Sequence, residues 1–96
     1  MVVKEGKVKI DRFDGSDFGF WKMQIEDYLY QNKMHLPLLG TKHEMMEKDE
    51  WDLLDRQVLG VIWLTLAKNV AFNIRGETTT ISLMEALENM YEKPSA

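Results

Sequence analysis

An all-α fold of about four helices, preceded by a short extended arm, is what this sequence predicts. Three observations carry that reading. Apolar residues recur at 3.6-residue spacing through long segments, and glycine, proline and cap-type residues punctuate their ends. The one stretch that alternates as a strand does is short and lies near the N-terminus. The 96 residues are 45% apolar with a net charge of −4, which suits one small core burying roughly 60–65% of the unfolded surface. A charged fraction of 29% with 10% aromatics is not the composition of a disordered chain.

Residues 1–16 read as the extended arm. Val8 and Ile10 alternate with Lys7, Lys9 and Asp11, and Phe13 precedes an Asp14-Gly15-Ser16 turn. Val2 and Val3 could pair back across Glu5-Gly6 as a hairpin, although Glu-Gly is weaker turn chemistry than Asn-Gly. Residues 17–96 make the helical body of what is a single domain overall. Its first helix spans 17–34, capped by Ser16 or Asp17, with Phe18, Trp21, Ile25, Tyr28 and Leu29 on one face. Phe20, Met23 and Tyr30 form a flanking apolar row, and Pro37 and Gly40 turn MHLPLLG into a linker. A second long helix runs from about Lys48 to Ala67, with Thr41-x-x-Glu44 permitting an earlier start as a capping box. Asp49, Glu50 and Asp52 favour the positive end of its dipole. Trp51, Leu54, Val58, Val61, Ile62 and Thr65 form one stripe, and Leu59, Trp63 and Leu66 another. Such a helix is central to the core or turns one side to another molecule. A short helical turn is expected at 69–74, closed by Arg75-Gly76. The last helix, capped by Thr80 or Ser82, presents Ile81, Met84, Leu87 and Tyr91 and stops at Lys93-Pro94-Ser95.

Composition also excludes chemistries. Without cysteine there is no disulfide framework, Cys-based zinc site or thiol nucleophile, which fits a reducing, cytoplasmic setting. The longest apolar run, Val58 to Ala67, is ten residues, about half a membrane span. MVVKEGKVKI lacks a signal peptide's apolar core, and Val2 stands where myristoylation needs glycine. No membrane association is expected.

Nothing assembles into a catalytic or cofactor site, and no enzyme, metal or cofactor is expected. His35 and His43 lack the i, i+4 spacing of a helical zinc pair and read as surface loop residues. Asp11, Asp14 and Asp17 are wrongly spaced for a calcium loop. The six acids of residues 44–55 face only Lys48, the pattern of a solvated helix face. Lys4, Lys7, Lys9 and Arg12 leave the arm a local charge of +2 after Glu5 and Asp11, thin for a phosphate footprint. Nucleic-acid binding is not expected through this domain alone.

The core anchors expected from periodicity are Phe18, Trp21, Ile25, Leu29, Trp51, Leu54, Val58, Ile62, Leu87 and Tyr91. Met45, Met46, Met84 and Met90 read as gap-filling core. Trp63 falls off the main stripe and suits a core position and a protein-contact surface equally. Trp63, Leu59 and Leu66, with Val8 and Ile10 on the arm, form the candidate interaction surface.

In order and spacing, these segments resemble the N-terminal part of Gag from plant copia-type LTR retrotransposons. FDGSDFGFWKMQIEDYLYQNKMHLPLLG carries F-x-G-x-x-F-x-x-W, EWDLLDRQVLGVIWLTLA carries W-x-x-x-D with an apolar tail, and LMEALENMYEKPSA carries L-x-x-x-Y. The match covers Ile10 to the C-terminus. It implies a helical capsid N-lobe that self-assembles, with itself or full-length Gag, into virus-like particles. The family's second capsid lobe and Cys/His zinc knuckle are missing, so the resemblance implies a fragment or truncated copy that does not package RNA. Trp63 departs from the polar or basic residue expected there in relatives, which points it toward the surface. The alternative is a host-retained or truncated lobe that binds a peptide, by strand addition or in an apolar groove, or that inhibits assembly.

Overall fold

A computed structural model describes residues 10–92. They form five helices: α1 (Phe18–Gln31), α2 (Leu36–Leu39), α3 (Lys48–Leu64), α4 (Lys68–Asn73) and α5 (Thr80–Tyr91). The chain is all-α. Among the described residues there is no strand, only an isolated parallel bridge between Phe13 and Leu66. The expected hairpin, Val8, and the Lys93-Pro94-Ser95 stop lie outside the described residues.

The segment before α1 is fastened to the body. Phe13 N–H donates to Thr65 O at 2.8 Å, and Ala67 N–H donates to Phe13 O at 2.9 Å. The Phe13 ring then joins an aromatic cluster. It stacks on Trp21 at 5.2 Å and meets Phe18 and Tyr91 edge-on at 5.5 and 5.0 Å, offset and T-shaped geometries that suit the ring quadrupole. Trp21 Nε1 donates to Thr65 Oγ1 at 3.0 Å, and that hydroxyl donates to Ile62 O at 2.7 Å. A buried indole N–H and a buried hydroxyl are thereby both satisfied.

Neither Ser16 nor Asp17 caps α1 through its side chain. Asp14 Oδ1 instead accepts the Ser16 N–H at 3.1 Å and the Ser16 hydroxyl at 2.8 Å. Those bonds hold the Asp14 carboxyl below its ordinary pKa. Asp17 occupies the N-cap in the left-handed region, φ 54°, without a side-chain cap bond. The Asx turn engages the Ser16 hydroxyl with Asp14 instead of with the helix end, and Asp17 departs from the extended backbone that a side-chain cap requires.

The expected linker at 34–40 contains a helix, α2. Pro37 sits in its first turn, where the missing N–H costs nothing because that donor lacks a helical partner anyway. The proline that looked like a breaker is a starter. Gly40 ends α2 at φ 76°, and a Cβ there would lie 3.2 Å from Ile81 Cγ1 on α5. Gly40→Ala is expected to cost about 1–2 kcal/mol for the left-handed backbone. Thermal denaturation by circular dichroism should show Tm falling by about 4–8 °C per kcal/mol; an unchanged Tm would contradict this packing.

Helix α3 starts at Lys48, after Glu47, whose N–H donates to Glu50 Oε1 at 3.4 Å. The Thr41-x-x-Glu44 box is not used. The cap of α5 is Thr79, whose Oγ1 accepts the Ser82 N–H at 3.2 Å. Thr80, expected as a possible cap, is fully buried. Its N–H donates to Asp55 Oδ1 at 3.0 Å and its hydroxyl to Asp55 O at 3.1 Å, tying α5 to α3. On the outside, Lys22 Nζ meets Glu88 at 3.0 Å, linking α1 to α5. That hydrogen bond raises the lysine pKa.

The core lies between α1, α3 and α5, with Val70 of α4 and Ile74 beneath. Phe18, Trp21, Ile25, Leu29, Val58, Ile62 and Leu87 are buried in it, and Leu54 and Tyr91 are partly buried against it. Trp51 is the exception among the expected anchors. It is partly exposed and outside the core cluster, one turn before Asp55, where α5 is tied on. Of the methionines, Met84 is core, whereas Met45 and Met90 are exposed.

Candidate protein-contact surface

The structure divides the five residues of the expected interaction surface. Leu59 and Leu66 are 5% and 3% exposed, so both are core residues; Leu66 leaves the surface, and Leu59 reaches it only as groove lining. The reason differs for each. Val58, Leu59 and Ile62 form one contiguous buried face on α3, wider than a single stripe, as in a helix covered from two directions. Leu66 lies beyond the end of α3 and is paired with Phe13, so helical spacing does not set its direction. Ile10 is partly buried against the core, and Val8 is outside the described residues.

Trp63 remains. It packs partly against the core and also lines an open groove of about 420 Å³. The groove is bounded by Arg56, Leu59 and Trp63 of α3 and by Arg75, Glu77 and Thr78 of the α4–α5 connection. Positions 56, 59 and 63 fall on one helical face by i, i+3, i+7 spacing. Leu59 and the indole give the apolar floor; the guanidinium groups and Glu77 give the polar rim.

Both arginines are exposed. Arg75 lies over the Phe72 ring, 4.0 Å from its centroid, and its Nη1 donates to Phe72 O at 2.7 Å. The ring and carbonyl preset the guanidinium direction without neutralising its charge. None of the ion pairs among the described residues involves Arg56 or Arg75. The rim therefore carries two cations without an ion pair among the described residues, beside one carboxylate, on a chain whose net charge is −4.

Sequence reasoning singled out Trp63 and missed its two arginines. Arg56 was detectable from its helical spacing to Trp63. Arg75 had no such signal, because a connecting segment delivers it.

The remaining polar clusters are accounted for locally. A second recess of about 360 Å³ beside Phe13 and Trp21 is lined by Asp11, Asp14 and Asp17, but Asp14 is already engaged by Ser16. Among the described residues, no group of three or more His, Cys, Asp or Glu could hold a metal. His43 Nδ1 accepts the Met45 N–H at 3.1 Å. His35, expected as a surface loop residue, is instead half-buried at the start of α2, stacked on Tyr30 at 4.2 Å, with its buried Nδ1 lacking a hydrogen-bond partner among the described residues. No helix among the described residues is long and apolar enough to cross a membrane.

The chain matches no protein-family model, and it has no match among curated proteins or solved structures.

Proposed function

We propose that this chain is a structural, self-associating helical domain: a capsid N-lobe of the copia-type Gag kind, assembling in the cytoplasm. The observation that carries the reading is Trp63, half-buried in a groove with an apolar floor that it shares with two arginines lacking an ion pair among the described residues. Tryptophan and arginine are the residues that interfaces enrich. The sequence resemblance in the Phe13–Trp21, Trp51–Asp55 and Leu87–Tyr91 segments supplies the name of the assembly.

Physically, each contact is small and weak, and repetition over many copies makes the whole stable. Sedimentation velocity over a wide concentration series tests this. The sedimentation coefficient is expected to rise with concentration and to keep rising, less steeply, in 1 M salt, where charges are screened within about 3 Å. A monomer at every concentration refutes self-association. It would leave capture of another protein's peptide as the reading to pursue.

A further inference from the structure

We propose that the Arg56–Trp63–Arg75 groove receives the 44–47 turn of a second copy of this chain, with Met45 seated on the indole. The proposal rests on the self-association reading and names the two halves of one contact.

Charge complementarity is the first argument. The groove gathers two cations with one carboxylate. Residues 42–52, KHEMMEKDEWD, hold five acids and two lysines, and Lys48 is already paired with Asp52. Arginine and carboxylate form the strongest of the ordinary charged hydrogen bonds. The second argument is shape. Met45 is 83% exposed, one of two methionines between Glu44 and Glu47, in a turn that binds itself in place. Its N–H donates to His43 Nδ1 at 3.1 Å, Met46 N–H donates to His43 O at 3.0 Å, and Lys42 Nζ donates to Met46 O at 2.7 Å. An ordered turn loses little freedom on docking. A thioether also packs well on an aromatic surface.

The third argument is placement. The turn precedes the first residue of α3, and the groove lies along its later half. A rise of 1.5 Å per residue puts Lys48 and Trp63 about 22 Å apart, so a copy does not fill its groove with its own turn. The contact joins two different surfaces. A pair still offers one vacant groove, on one copy, and one unengaged turn, on the other, and the association propagates instead of stopping at a dimer. The other exposed apolar stripe, Phe20–Met23–Tyr30 on α1, has no such charge partner.

Sedimentation velocity on the full 96-residue chain, with circular dichroism as a check on folding, tests the pairing. Arg56→Glu/Arg75→Glu reverses the groove, and Glu44→Arg/Glu47→Arg reverses the turn; all four side chains are exposed. Each double variant alone is expected to associate at least tenfold more weakly than the wild type. Their equimolar mixture should recover association, because each groove then meets a turn of opposite charge. Met45→Ser, at an exposed position that does not threaten folding, should weaken association without altering its salt dependence.

Unchanged association in both double variants overturns the docking and leaves self-association standing. Loss in the groove variant alone, or no recovery on mixing, overturns the assigned occupant. A wild type that never associates overturns the docking and the proposed function together.

Discussion

Trp21→Ala is expected to lower the unfolding free energy by about 3–5 kcal/mol, the range for removing a buried aromatic. A chain of this length has about 5–14 kcal/mol in total, so the variant is left near the edge of folding. The side chain is 3% exposed and connects three parts of the molecule. It stacks on Phe13, it contacts Phe18 within its own helix, and its indole N–H reaches Thr65 across 44 residues of sequence. Deleting it leaves a cavity under Phe13 and frees the Thr65 hydroxyl. Urea denaturation followed by circular dichroism measures the loss. Thr65→Val separates the components: it keeps the ring and strands the indole N–H, and should cost about 1–3 kcal/mol. A loss below about 1 kcal/mol for Trp21→Ala would mean that the aromatic cluster does not hold the arm to the body.

Asp55→Ala is the second large effect, expected at about 1.5–3 kcal/mol, the worth of a hydrogen bond to a charged group. The carboxylate accepts the N–H of Thr80, a fully buried residue at the first position of α5. Removing it leaves that donor, on a residue with no exposed surface, without its partner. Tm should fall on the order of 10 °C for a domain of this size. Asp55→Asn keeps an oxygen at the same position and should restore most of the loss. Equal destabilisation by both variants would show that charge, rather than the directed acceptor, sustains the junction. The Thr80 hydroxyl bond to the Asp55 backbone carbonyl is available in every variant, which bounds the effect.

Both sites show what periodicity conveys and what it does not. Trp21 announced itself, because Phe18, Trp21, Ile25 and Leu29 repeat at helical spacing and all four are buried. The long helices were legible for the same reason. Helix α2 was not, since four residues carry no period and Pro37 has opposite meanings at a helix start and in its interior. Caps were misplaced at Thr41 and Thr80, and Asp17, one of the two expected caps of α1, holds the N-cap position without a side-chain bond. Serine, threonine and aspartate hydrogen-bond wherever a donor is near, and tertiary contacts decide which oxygen is free to cap. The Ser16 hydroxyl is taken by Asp14, and Thr80 by Asp55. Leu59 and Leu66 were assigned outward because one stripe had already been filled. A central helix fills more than one, and the bridge to Phe13 redirects the chain after Leu64. The groove was half legible: Arg56 and Trp63 share a helix, whereas Arg75 arrives through folding.

The Phe13 bridge also acts as a latch. Two backbone hydrogen bonds and one ring fasten residues 10–16 to the helices, and releasing them unwinds no helix. Burying a phenylalanine side chain is worth about 1.5–3 kcal/mol, well below the stability of the whole domain. Peeling of the arm is therefore a sub-global opening, visited far more often than complete unfolding. That transient species bares Trp21 and Tyr91 and frees the backbone of Thr65 and Ala67, which follow Trp63 at the groove end of α3. A protease, or an unwanted apolar neighbour, would meet the molecule first in this unlatched state.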